Sequence, residues 1–270
     1  MLQALEDRYG FMALRLFLHR ICSDAHLFYD VWQAIGLLLK EAPVPLRCWW
    51  NNPDQNSNHI VLVLPEVFGV NSWVRSVVDR LADYGFAALA MPLFARTAPE
   101  LELGYSEEDL VEGRRHKELT TTEQILADAS AAIAWLKQQN QQSKITVVGF
   151  CFGGHAALIT STLPTVSSTF DFYGAGVSIS RPGGGSPSLE LLPTVSGELT
   201  CLCGTSDSLI PLSDRTSIQE ALRKEDPEGS RMTYIEVESA DHGFMCEQRP
   251  SFNAKASELG WGLLLEKLNA

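Results

Sequence analysis

The sequence predicts a doubly wound, mostly parallel α/β sheet with helices on both faces. Short runs of uniformly apolar residues alternate with amphipathic helical patterns, and one run enters a Gly-rich turn that opens a helix. Strands covered by helices on both faces read as continuous apolar runs, and repeated strand–helix units imply parallel pairing.

The elements follow in chain order. Residues 1–42 carry apolar positions at near-helical spacing, through Met12 and Leu16 and then Val31, Ile35, Leu38 and Leu39, until Pro43 and Pro45 stop any helix. A helical N-terminal extension is expected over 1–42, and a single α/β domain over 43–270. Strands are expected at Ile60–Leu64, Phe86–Ala90, Ile145–Gly149, Leu199–Cys203 and Met232–Val237. Between them, Trp73, Val74, Val77, Val78 and Leu81 mark one helix, and Ile125, Leu126, Ala129, Ile133 and Leu136 another. Glu107, Glu108 and Asp109 precede Arg114, Arg115 and Lys117, an order that suits a helix dipole. A last helix is expected over Ser251–Leu268.

Charge and composition exclude several functions. The 270 residues carry 21 basic and 33 acidic side chains, a net charge of −12, which opposes binding to nucleic acid or to anionic lipid. An apolar fraction of 45 % is that of a folded chain. Six cysteines without a C-x-x-C pair, and six histidines without ligand spacing, point away from a disulfide scaffold and a metal site. Glu6 and Asp7 stand where a signal peptide would be basic, and the long uncharged run Ile145–Phe170 is broken by glycines and Pro164. A cytoplasmic protein with reduced thiols, no cofactor and no membrane or nucleic-acid partner is expected.

The chemistry centres on Gly149-Phe150-Cys151-Phe152-Gly153-Gly154. Between a buried strand and a helix start, this is the setting of the nucleophile elbow G-x-S-x-G with Cys for Ser. Small residues two positions either side let strand and helix approach, and a helix N-terminus favours a thiolate. Partners follow in the order this turn uses: Asp207 after the strand Leu199–Cys203, then His242 after the strand ending near Val237. Asp214 and Asp241 are rival acids.

From about residue 60 onward the chain resembles the dienelactone hydrolase family of the α/β-hydrolase fold. The likeness is carried by Pro65-Glu66-Val67-Phe68-Gly69-Val70-Asn71, by Gly149 to His155, by Phe172-Tyr173-Gly174-Ala175-Gly176, and by Ala240 to Phe244 with Gln248-Arg249-Pro250. It implies a Cys151–Asp207–His242 triad, with Glu66 contacting the thiol, and an oxyanion hole of the Val67 and Phe152 amides. It implies that Arg96 grips a substrate carboxylate. At a second arginine position of well-known members, four residues after the histidine, this chain has Cys246. Neutral esters are therefore expected to fare comparatively well, unless Arg249 restores the clamp. The expected activity is hydrolysis of small-molecule carboxylic esters or lactones through a thiol acyl-enzyme, by a monomer, with a dimer as the alternative. The rival reading is an inactive binding protein of the same fold that docks through residues 1–42.

Overall fold

The computed structural model describes residues 44–53 and 58–270, so the helix expected over 1–42 lies outside the described residues. Seven strands form one sheet in the order β1-β3-β2-β4-β5-β6-β7. They are β1 (Trp49–Asn51), β2 (His59–Leu64), β3 (Ala87–Ala90), β4 (Lys144–Phe150), β5 (Val166–Phe172), β6 (Glu198–Gly204) and β7 (Met232–Val237). Every pairing is parallel except β1 with β3. Among the described residues the helices are α1 (Ser72–Asp83), α2 (Glu107–Glu118), α3 (Thr122–Gln139), α4 (Phe152–Thr160), α5 (Leu212–Glu225) and α6 (Ala254–Leu268). A short 3₁₀ segment spans Ser188–Thr194.

Strand alternation divides the core into two layers. Val61 and Val63 pack with α1 and α6, through Trp73, Val77 and Trp261. Ile60, Leu62 and Leu64 pack with α3 and α4, through Ile133, Leu136 and Ala157. All six residues of β2 are buried. Each large apolar side chain so removed from water contributes about 1.5–3 kcal/mol, which makes the β2–β4 centre the rigid frame of the sheet.

Helix termini follow the sequence signals. Ser106 and Asp109 form a reciprocal capping box at the start of α2, as Thr121 and Gln124 do for α3. Asn71 caps α1, accepting a hydrogen bond from the Val74 N–H.

Three elements go unpredicted by hydrophobic pattern. β1 is a short edge strand held to α1 by Trp49 and Asn51, which donate to Asp79 at 3.1 and 2.9 Å. β5 hides behind its polar residues, two of which meet partners on the neighbouring strands: Ser168 with Thr146 at 2.9 Å, and Asp171 accepting from the Cys201 thiol at 3.9 Å. α5 buries only Arg215, Ile218 and Leu222, too narrow a stripe to stand out.

The parallel topology places the carboxyl ends of β2, β4, β6 and β7 at one edge of the sheet, and Glu66, Cys151, Asp207 and His242 follow those ends. Open α/β sheets bind their ligands at that edge.

Candidate active site

Cys151 occupies the single residue between β4 and α4, at φ 56° and ψ −118°. Positive φ is strained for a residue with a Cβ, and it persists only where the surroundings impose it. They do so through two hydrogen bonds, the Cys151 N–H donating to the Phe172 carbonyl at 3.0 Å and its carbonyl accepting from the His155 N–H at 3.1 Å. The flanking glycines are steric necessities. A Cβ on Gly149 would lie 1.8 Å from the Gly153 carbonyl oxygen, and one on Gly153 would lie 2.2 Å from that of Leu64.

Asp207 and His242 meet across the ends of β6 and β7. The His242 Nδ1 stands 2.8 Å from the Asp207 Oδ2, and the other carboxylate oxygen accepts from the Leu209 N–H at 2.8 Å. A carboxylate at Nδ1 fixes the proton there and leaves Nε2 as the acceptor. The His242 Nε2 is buried, and among the described residues the side chain it interacts with is that of Cys151. Burial alone works against the imidazolium, but the adjacent Cys151 sulfur and the Asp207 carboxylate outweigh it and push the His242 pKa up to about 10. The rival acids are engaged elsewhere: Asp241 accepts from the His242 backbone N–H at 2.6 Å, and Asp214 lies in the first turn of α5.

Glu66 is 1 % exposed, and its Oε1 accepts from the Arg249 guanidinium at 2.7 Å. Its Oε2 has no hydrogen-bond partner. Burial pushes the Glu66 pKa up, and the charge of Arg249 opposes that rise. Cys246 is buried too, and its thiol donates to the Tyr105 hydroxyl at 3.2 Å. Burial pushes the Cys48 and Cys246 thiols up to about 12, and raises Cys201 and Cys203 well above their ordinary value.

A cavity of about 250 Å³ opens over Cys151, with Val67, Phe152, His242 and Arg249 among its walls. Phe152 is the first residue of α4, where a backbone N–H has no acceptor within the helix. A second cavity of about 510 Å³ adjoins the first, sharing Phe68, Leu110, Leu209, His242 and Arg249 as a common wall.

Arg96 is not brought to this cavity. It pairs with the buried Asp128 of α3 and lines a separate depression with Val44, Leu46 and Pro99. A buried carboxylate needs a cation, and Asp128 takes the one expected to meet substrate. The cavity instead gathers Arg114 and Lys117, three residues apart on one face of α2, together with Arg249. In the sequence the first two stand out only as partners for a helix dipole. Their three-residue spacing was the available signal, but nothing local says which way that face points.

A family model described as the dienelactone hydrolase family matches residues 46–270. The chain belongs to the dienelactone hydrolase family. A Synechocystis sp. protein described as a candidate carboxymethylenebutenolidase is 37 % identical over 204 residues, covering 75 % of this chain and 82 % of that protein. The carboxymethylenebutenolidase of Pseudomonas putida is 29 % identical over 164 residues, covering 60 % of this chain and 66 % of its own. Among solved structures, a candidate dienelactone hydrolase from Klebsiella pneumoniae superposes with a TM-score of 0.72 at 21 % identity, over 84 % of this chain and 96 % of that one. The protein is thus a carboxymethylenebutenolidase-like hydrolase of the α/β-hydrolase fold. Among the described residues, no helix is long and apolar enough to cross a membrane, and no group of three His, Cys, Asp or Glu side chains could hold a metal ion.

Proposed function

We propose that this family member hydrolyses carboxylic esters or lactones through a thioester on Cys151, within a catalytic domain spanning residues 43–270. The observation that carries the reading is the His242 ring, whose Nδ1 is held by Asp207 and which interacts with the Cys151 side chain in the same cavity. An imidazole so held, with its proton affinity raised, is suited to take a thiol proton.

Each step balances. The Cys151 thiol passes its proton to the His242 Nε2, and the sulfur then bonds to the carbonyl carbon. The carbonyl oxygen becomes an oxyanion, held by the Val67 and Phe152 N–H groups. Collapse breaks the carbon–alkoxy bond, and His242 returns its proton to the departing oxygen. A water then gives a proton to His242 and its oxygen to the thioester carbon. The carbon–sulfur bond breaks, the sulfur recovers its proton, and a carboxylic acid leaves. Asp207 keeps the imidazole in the required tautomer throughout. Glu66, buried beside the site, attracts the positive charge of His242 and so favours the imidazolium.

The test combines turnover with covalent trapping. Intact-protein mass spectrometry after brief exposure to p-nitrophenyl acetate and p-nitrophenyl butyrate should show one acyl group, mapped by digestion to Cys151. Cys151→Ala should show neither acylation nor turnover. Acylation at another residue, or steady turnover by Cys151→Ala, overturns the assignment. A parent protein inert towards every ester and lactone offered would favour the binding-protein reading instead.

A further inference from the structure

The two cavities on either side of His242 can be assigned to the two halves of an ester. The proton donor must face the departing oxygen, while the carbonyl must face the Val67 and Phe152 amides. The 250 Å³ cavity holds Cys151, Val67 and Phe152, so it takes the acyl half. The 510 Å³ cavity lies across the wall that contains His242, so it takes the alcohol half.

Their charges are opposite. The acyl cavity carries Arg114 and Lys117 and no carboxylate, in a protein whose net charge is −12. The alcohol cavity carries Glu107 and Asp241, and Arg249, in the wall common to both cavities, is paired with Glu66. Neither Arg114 nor Lys117 makes an ion pair or hydrogen bond among the described residues. Glu112, on the same helix, is taken by His116 at 3.0 Å and Arg115 at 3.3 Å. The Lys117 ammonium stands 5.7 Å from the ring centroid of Phe152, which places positive charge beside the residue that follows the nucleophile. Helix α2 is pinned in place from below. A Cβ on Gly113 would lie 2.3 Å from the Val67 carbonyl oxygen, so the helix rests directly on the loop that supplies the first oxyanion amide.

We infer that Arg114 and Lys117 determine specificity for an anionic group on the acid half of the substrate, as in a monoester of a dicarboxylic acid. The inference rests on the proposed ester hydrolysis and reverses the expectation of a preference for neutral esters. A carboxylate on the alcohol half would meet Glu107 and Asp241 and be disfavoured.

The experiment compares kcat/KM for three esters of similar size: p-nitrophenyl hexanoate, the mono-p-nitrophenyl ester of adipic acid, and the hexanoyl ester of 4-hydroxybenzoate. The adipate ester should be preferred over the hexanoate by about tenfold, the scale of one charge-assisted contact, and the benzoate ester should not be. In Arg114→Gln/Lys117→Gln the adipate-to-hexanoate ratio should fall about tenfold, and in the parent it should fall as salt is raised. Lys117→Glu should depress it further. A parent ratio at or below one, a ratio unchanged in the double variant, or an equal preference for the benzoate ester overturns the inference. Loss of all three activities is a failure of the underlying hydrolase reading. It is told apart by calorimetric binding of monomethyl adipate and methyl hexanoate to Cys151→Ala, where the same preference must appear without turnover.

Discussion

Replacing Arg249 with Met should leave the Glu66 carboxylate buried without its cation. Glu66 is 1 % exposed, the Arg249 side chain is 19 % exposed, and they meet at 2.7 Å across 183 residues of sequence. Breaking a buried pair by removing one partner costs about 3–5 kcal/mol. Arg249 keeps some contact with solvent, so the lower end, about 3 kcal/mol, is expected. For a domain of this size that corresponds to a fall in Tm of about 10 °C. The deficit should depend on pH. Burial already holds the Glu66 pKa above its unfolded value, and loss of Arg249 removes the charge that opposes the rise. Between the unfolded and folded pKa values the folded state keeps a proton that the unfolded chain has lost, so stability falls as pH rises through that window. Urea unfolding followed by tryptophan fluorescence should therefore show a larger gap between parent and variant at about pH 8 than at about pH 5.5. Adding Glu66→Gln to Arg249→Met should recover part of the loss and abolish its pH dependence. An equal gap at both pH values, or no gap, would refute the claim that an unpaired charge is responsible.

Asp207→Asn should lower kcat by about two to four orders of magnitude through loss of the imidazole tautomer, whereas Asp241→Asn and Asp214→Asn should change it by less than about threefold; steady-state kinetics on one ester decides. Cys151→Gly should abolish turnover yet raise stability by about 1 kcal/mol, because glycine adopts φ 56° without strain, and a higher urea midpoint checks it. The His242 pKa near 10 should keep on the imidazole, up to about pH 9, the proton that it returns to the departing oxygen, so kcat/KM should stay level to that point and fall as pH rises through about 10. A profile that falls already near the ordinary histidine pKa would contradict that sign.

What could be read from the sequence follows from how local each signal is. Gly149, Cys151 and Gly153 are legible because the elbow's sterics are contained in five consecutive residues. The central strands are legible because burial on both faces leaves uniformly apolar runs, whereas β5 is masked by Ser168, Thr169 and Asp171, whose buried polar atoms look like a loop until β4 and β6 are alongside. Arginine is harder. Arg96, Arg114 and Arg249 all carry the same charge, and their duties are set by partners distant in sequence: Asp128 for the first, Glu66 for the last and, among the described residues, no side chain for the one in between. A motif can place an arginine on a loop, but a long flexible side chain turns to whichever buried carboxylate most needs it.

The uneven burial of sulfur bears on how the molecule meets oxidants and electrophiles. Cys201 and Cys203 sit inside β6, Cys246 lies under Tyr105, and Cys48 has its thiol pushed up to about 12, so these sulfurs stay protonated and sluggish at neutral pH. Cys151 alone among the described cysteines lines the cavity over the sheet. Among the described cysteines, electrophilic attack is thereby channelled to a single atom, and so is damage: peroxide that converts that sulfur to an acid would end the proposed thioester chemistry while leaving the core thiols untouched.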